Sequence, residues 1–140
     1  MSTMGESDET IPMIHPTGWA PASGYSNGVV LSGKLLTLAG QIGWDPRTGE
    51  FESDDFVVQT RQTLQNIVEL LAAADARPRH LARLTWFVID RNEYISARKE
   101  IGRAYREIVG NHYPPMSVVF VSSLLEERAR VEIEATAVLP

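Results

Sequence analysis

The last segment of the chain, residues 129–139, alternates apolar and polar side chains along most of its length. Val131, Ile133, Ala135 and Ala137 alternate with Arg130, Glu132, Glu134 and Thr136. Because successive side chains of a β-strand point to opposite faces of a sheet, this pattern predicts a strand with one buried face and one polar face. The chain must therefore supply further strands and a layer of helices that covers the buried face.

Four further strands are predicted from short apolar, β-prone runs. Residues 29–31 and 34–39 are separated by Ser32-Gly33, and this two-residue link predicts a β-hairpin. Residues 84–89 and 117–124 are the other two strands. A second turn is predicted at 45–49 (Asp-Pro-Arg-Thr-Gly), where Pro fixes one φ and Gly tolerates a positive one.

Two helices are predicted between the strands. The first has an N-cap at Ser53 and runs to about Ala76, with apolar or small side chains at spacings of three and four. The second begins at an N-cap Asn92 and ends before Gly110, a plausible C′ residue. The order is β-β-α-β-α-β-β in a single α+β domain, with no internal repeat.

Two of the predicted strands contain uninterrupted apolar runs, at 86–88 and 118–121, so both of their faces are apolar. Strands that read as continuous apolar runs are usually buried on both faces. Helices can cover only one of those faces, so we expect a partner subunit on the other.

Composition excludes several classes of protein. The chain has 140 residues, no Cys and a net charge of −5, so neither a disulfide framework nor a Cys-based metal site is available. The isoelectric point of about 5.2 argues against nucleic-acid binding. The apolar runs are far shorter than the roughly 20 residues of a membrane span. Residues 1–10 are polar and acidic, which predicts a disordered tail before a domain at 11–140, no secretion signal and a cytoplasmic location.

Few residues offer chemistry. His15, His80 and His112 are too far apart in sequence to form a local metal motif, so no metal is predicted. Glu132 and Glu134 share one side of the last strand, where they could be ordinary solvated carboxylates. In a subunit cleft, partial burial would instead raise the pKa of Glu132 toward the working pH and suit it to activating water.

Several separate motifs, in register from about Tyr25 to Val138, resemble the RidA/YjgF family of reactive-intermediate deaminases. They are Gly24-Tyr25-Ser26, Ala39-Gly40-Gln41-Ile42, the turn at 45–49, Gln59-Thr60, Leu64-Gln65-Asn66-Ile67 and Val131-Glu132-Ile133-Glu134-Ala135. The resemblance implies a chorismate-mutase-like fold with a mixed β-sheet covered by two helices. It also implies a homotrimer with small-molecule clefts between its subunits.

The resemblance further implies hydrolysis of an enamine or imine to a carbonyl product and ammonia, without a cofactor. Glu132 would orient water and Tyr25 would line the cleft with its hydroxyl, as the two catalytic residues. The predicted substrate-binding residues are Gly40, Met116, Ser117, Trp86 and Arg98.

One departure from the family pattern bears directly on the substrate. Where the family reads Pro-Ala-Arg-Ser, this chain reads Pro114-Pro115-Met116-Ser117. The family's Arg grips the substrate carboxylate through two charge-assisted hydrogen bonds, each worth about 1.5–3 kcal/mol, and Met116 can make neither. Arg98 is either a relocated anion anchor or an ordinary surface arginine.

Three functions follow from this departure. The first is deamination of an enamine or imine without the usual short 2-carboxylate, such as a ring-derived aminomuconate-like compound or a thioester enamine. The second is a trimeric small-molecule-binding or protein-protecting module without turnover. The third, ribonuclease or translation inhibition, is disfavoured by the acidic charge balance.

Overall fold

The computed structural model describes residues 13–140, and the predicted tail at 1–10 lies outside that range. Seven strands and three α-helices are present in it. The strands are β1 (Met13–Ile14), β2 (Gly28–Val29), β3 (Lys34–Thr37), β4 (Gln41–Ile42), β5 (Leu81–Val88), β6 (Met116–Phe120) and β7 (Val131–Leu139). The helices are α1 (Phe56–Ala73), α2 (Arg91–Ser96) and α3 (Arg98–Ile108), and a 3₁₀ turn spans Pro78–His80.

A five-stranded mixed sheet forms the centre of the domain, which confirms the α+β fold. The strand order is β3-β7-β5-β6, and β4 also pairs with β7. Strands β5 and β6 are parallel, whereas β7 is antiparallel to both β3 and β5. The alternation along β7 is confirmed: Val131, Ile133, Ala135 and Ala137 are buried, while the residues between them are not.

Helices α1 and α3 pack against each other and cover the buried face of the sheet. We call this the helix face and the opposite one the open face. In the β5–β7 register Trp86 lies across from Ile133, and Phe87 lies across from Glu132. Since directly paired residues share a face, Trp86 belongs to the helix face, and both Phe87 and Glu132 belong to the open face.

The first predicted helix is present, but its N-cap is Asp55 rather than Ser53. The Asp55 carboxylate accepts a hydrogen bond from the Val58 N–H at 3.0 Å. The Ser53 hydroxyl accepts instead from the Asp55 N–H at 2.9 Å, and so fixes the turn that leads into the cap. Both residue types favour this position, and only the path of the backbone decides between them.

The second predicted helix is interrupted. Its N-cap is Asp90, two residues before the predicted Asn92, because the Asp90 carboxylate accepts a hydrogen bond from the Glu93 N–H at 3.1 Å. At Ala97 the backbone leaves helical geometry (φ −101°, ψ 8°), which separates α2 from α3. The predicted C′ glycine is confirmed, since Gly110 has φ +99° directly after the C-cap Val109.

The predicted hairpin across Ser32-Gly33 is wrong. Strand β2 pairs with β1, while β3 pairs with β7 over four residues from Lys34↔Leu139 to Thr37↔Thr136. The long strand β7 gives β3 a full antiparallel partner, so the chain at 30–33 connects two sheets instead of reversing. The turn at 45–49 is confirmed: the Gly49 N–H donates to the Asp45 carbonyl at 2.8 Å, and Gly49 has φ +71°.

Candidate functional site

A cavity of about 860 Å³ opens between α2, α3, strands β5 and β6, and the loop at 22–25. It is called the helix-face pocket below. Four residues singled out from the sequence line it, namely Tyr25, Trp86, Arg98 and Met116. A volume of this size suits a small-molecule ligand.

The register of β5 and β6 explains why Trp86 and Met116 point into the same pocket. Leu84 lies across from Met116, and Trp86 lies across from Val118, so all four belong to the helix face. Met116 is partly exposed at the start of β6 and contributes an apolar, flexible surface. At this position, the wall of the pocket therefore carries no charge.

Trp86 is the most deeply buried of these four residues, with 4% of its surface exposed. Its indole Nε1–H has no hydrogen-bond partner within the described part of the chain. Buried N–H groups are nearly always paired, because an unpaired one loses its hydration without compensation. An acceptor supplied by a ligand would satisfy this donor.

Helix α3 forms one wall of the pocket, and of its lining residues only Arg98 was predicted from the sequence. The helix contributes a stripe at positions i, i+3, i+4, i+7 and i+8, composed of Arg98, Ile101, Gly102, Tyr105 and Arg106. Tyr94 and Tyr113 complete the aromatic lining. The sequence signal was an arginine four residues before Gly102 and another four residues after it.

The tyrosines of this wall are held in fixed positions. The Tyr105 and Tyr113 rings stack with centroids 5.2 Å apart, and the Tyr105 hydroxyl donates to the His112 carbonyl at 2.6 Å. Burial raises the pKa of Tyr105, with a smaller contribution from Tyr113. Burial also raises the pKa of Tyr94, against a lowering effect of the Arg98 charge. Both phenols therefore stay protonated at neutral pH.

Glu132 does not line this pocket. Its carboxylate lies on the open face against the backbone of Gly40, where an added Cβ would overlap the Glu132 Oε2 atom and lie 2.8 Å from Cδ. Only a residue without a side chain leaves room for the carboxylate there. Burial, and secondarily the neighbouring Glu134, raises the pKa of Glu132.

Ser117 is also on the open face. It lies across from Thr85 in the β5–β6 register, and its hydroxyl accepts a hydrogen bond from Arg83 Nη2 at 3.1 Å. The predicted site residues thus fall into two groups. Tyr25, Trp86, Arg98 and Met116 line the helix-face pocket, whereas Gly40, Ser117 and Glu132 are on the other side of the sheet.

A second cavity of about 790 Å³ shares Tyr25 and Tyr113 with the first. All three histidines line it, and each has at least one ring nitrogen engaged: His15 contacts Asn27 and the Trp19 carbonyl, and His112 Nε2 contacts the Leu81 carbonyl at 2.8 Å. His80 Nδ1 accepts from the Arg77 N–H at 3.0 Å. Within residues 13–140, no three His, Asp or Glu side chains are placed to hold a metal ion.

Comparison with known proteins decides the family. A family model described as endoribonuclease L-PSP matches residues 17–139. The chain belongs to this family, also known as RidA/YjgF. It is 35% identical over 117 residues to a RutC family protein of Pyrococcus horikoshii, covering 84% of this chain and 88% of that one.

Other members of the RidA/YjgF family carry a functional name or a solved structure. The chain is 33% identical to the 2-iminobutanoate/2-iminopropanoate deaminase of Salmonella typhimurium, over 81% of this chain and 86% of that protein. The crystal structure of a Rid family protein of unknown function from Yersinia pestis superposes with a TM-score of 0.79 at 33% identity. That match covers 91% of this chain and 98% of the Yersinia chain, and it agrees with the chorismate-mutase-like fold.

Within residues 13–140, no α-helix is both long enough and apolar enough to cross a lipid bilayer.

Proposed function

We propose that the protein hydrolyses a reactive enamine or imine to a carbonyl compound and ammonia, and that its substrate differs from short 2-imino acids. The observation that carries this proposal is the Glu132 carboxylate, held against Gly40 with a raised pKa. The deaminase names of several relatives support the reaction class.

The proposed reaction needs only water and proton transfers. The Glu132 carboxylate accepts a proton as a water oxygen adds to the carbon of the protonated imine and the C=N electron pair moves to nitrogen. The Glu132 carboxyl then returns this proton to the carbinolamine nitrogen, the C–N bond breaks, and ammonia leaves as the hydroxyl oxygen gives its proton back to Glu132 and forms C=O. A general base with a raised pKa suits this step, because it must both accept and return the proton.

The two groups of site residues lead us to propose that the site spans two copies of the chain. Glu132 and the helix-face pocket lie on opposite faces of one sheet, so a single copy does not place both around one small substrate. The open face supports such an assembly: Val119 lies across from Phe87 on it and is 42% exposed. The implied homotrimer would bring the Glu132 of one copy toward the pocket of another.

The shifted substrate preference follows from Met116. A methionine cannot form the two charge-assisted hydrogen bonds that the family's arginine gives to a 2-carboxylate. Losing both is expected to weaken binding of a short imino acid by about 100-fold or more.

Ammonia release from a panel of imines tests the proposal. The panel contains short 2-imino acids, generated in situ by an amino-acid oxidase, and larger ring-derived enamines. We expect acceleration on the larger substrates and a loss of about 100-fold or more in Glu132→Gln, the usual range for removing a general base. Glu134→Gln is the matched control and should keep most of the activity at neutral pH.

Met116→Arg forms the second arm of this experiment. If the rest of the site is intact, the new arginine should increase kcat/KM on short 2-imino acids, and Met116→Gln, which adds no charge, should not. No acceleration on any imine, with Glu132→Gln equal to the wild type, would contradict the proposed reaction.

Ligand binding without turnover is the second candidate function. It is favoured by the helix-face pocket itself, which has an unpaired indole donor and no carboxylate among its lining residues. A ligand that raises the melting temperature while no imine releases ammonia would favour this function, and measured turnover would eliminate it.

A further inference from the structure

The helix-face pocket carries a positive charge that nothing in it balances. Arg98 and Arg106 both line the pocket, and none of its lining residues is acidic. Within residues 13–140, neither arginine forms an ion pair with a carboxylate. Other arginines of the same domain do have acidic partners, such as Arg61 with Glu107 at 2.8 Å.

The two arginines lie on one stripe of α3 that lines the pocket. Gly102 lies midway between them, one turn of α3 from each, so all three residues share one stripe of the helix. The Nη1 atom of Arg106 reaches back to within 3.4 Å of the position that a Cβ would occupy at Gly102. Arg106 therefore extends toward Arg98 across a gap that the glycine leaves open.

Arg98 is also in an unusual place for a positive charge. It is the first residue of α3, and the N-terminal end of a helix disfavours cations because of the helix dipole. Its charge acts on the hydroxyl of Tyr94, whose pKa it lowers against the larger effect of burial. Arg106 belongs to the last turn of the same helix, and its side chain folds back toward Gly102, so an anion bound between the two side chains would be attracted by both charges.

The remainder of the pocket is aromatic rather than charged. The stacked pair Tyr105 and Tyr113 forms one side, and the buried indole of Trp86 lies in the same pocket with an unpaired N–H. Aromatic walls favour a flat, unsaturated body, and the indole N–H favours an oxygen or nitrogen acceptor on it.

We propose that the helix-face pocket binds a carboxylate attached to a planar unsaturated or aromatic body, with the carboxylate between Arg98 and Arg106. As a statement about the substrate, this inference rests on the proposed function. It places the anion anchor on α3 instead of at Met116, so the carboxylate is separated from the imine by the length of the planar body.

Binding of trans-cinnamate, followed by NMR of the indole N–H groups, tests this inference without requiring turnover. The chain has three tryptophans, and a Trp86→Phe variant assigns the signal of Trp86. Cinnamate should shift the Trp86 signal saturably. Cinnamamide, which lacks the charge, and propionate, which lacks the planar body, should bind at least about tenfold more weakly.

Three variants locate the anchor. Arg98→Gln and Arg106→Gln should each weaken cinnamate binding by about tenfold or more, since each removes a charge-assisted contact. Arg103→Gln is the matched control, because Arg103 is exposed on the same helix but does not line the pocket. All three residues are exposed, and thermal melting of each variant checks that the fold is unchanged.

The outcomes separate this inference from the proposed function. Three results would overturn it: no binding of cinnamate at millimolar concentration, binding of cinnamamide as tight as that of cinnamate, or cinnamate binding that is unchanged in both Arg98→Gln and Arg106→Gln. Turnover of imines with kcat/KM unchanged in Arg98→Gln and Arg106→Gln would also overturn it while leaving the deaminase proposal standing. Arginine-dependent cinnamate binding without any ammonia release would support it and remove the deaminase proposal.

Discussion

At the scale of single residues, the protonation of Glu132 is controlled by its surroundings. Its pKa is raised mainly by burial and in part by Glu134, which occupies the same face two residues along β7. Below that pKa the carboxyl is protonated and cannot accept a proton from water. Activity should therefore rise with pH on the acid side and level off once Glu132 is ionised.

This leads to a pH prediction. Glu134→Gln removes a negative neighbour, so the pKa of Glu132 falls and the acid limb of the kcat/KM profile moves to lower pH. Glu52→Gln removes the same charge from an exposed residue outside the sheet, and it should leave the acid limb in place. The idea that Glu132 is the titrating base fails if the limb stays where it is in Glu134→Gln or moves to higher pH.

At the scale of elements, buried amides of α1 hold the neighbouring loops in place. Gln59 Nε2 donates to the carbonyls of Ser53 and Arg128, both at 3.0 Å, and its Oε1 accepts from the Arg130 N–H at 2.8 Å. Asn66 Nδ2 donates to the carbonyls of Ile42 and Trp44. These contacts fix the start of β7, and hence Glu132, relative to the helix.

Gln59→Leu should therefore destabilise the protein. The change leaves three backbone groups without their partner in a partly buried region, and each such group costs up to about 1–3 kcal/mol. We expect the free energy of unfolding, from urea denaturation at fixed protein concentration, to fall by about 3 kcal/mol or more. Gln65→Leu, on the exposed side of the same helix, should change it by less than about 0.5 kcal/mol. Equal effects of the two substitutions would show that the amide contacts contribute little.

At the scale of the whole molecule, the open face of the sheet distinguishes a single copy from an assembly. In the apolar runs at 86–88 and 118–121, alternate side chains lie under the helices and the others lie on the open face, where Phe87 and Val119 are paired. An exposed apolar patch that includes a half-buried carboxylate is typical of a surface that another subunit covers.

The proposed trimer predicts a mass of about 47 kDa, three times the 15.6 kDa of one chain, in light scattering coupled to size exclusion. Val119→Asp places a charge on the open face and should shift the mass toward one chain, with loss of activity. Val58→Asp, on an equally exposed position of α1, should leave the mass unchanged. A wild-type mass of a single chain would contradict the assembly.

The sequence by itself determined the features that depend on neighbours along the chain. The alternation of β7, the turn at 45–49, the apolar stripe of α1 and the C′ glycine at Gly110 all follow from local periodicity and local φ preferences. Cap positions were displaced by two residues, because Ser, Asp and Asn all serve as caps and only the backbone path selects one.

Only the tertiary structure decided which distant segments meet. The pairing of β3 with β7 replaced the predicted hairpin, since strand pairing depends on partners about 100 residues away. The β5–β6–β7 register placed Met116 and Glu132 on opposite faces of the sheet, and the packing of α3 brought Arg98 and Arg106 to the same pocket as Trp86. Such contacts join residues that no local pattern connects, because register and helix packing are set by the burial of the whole core.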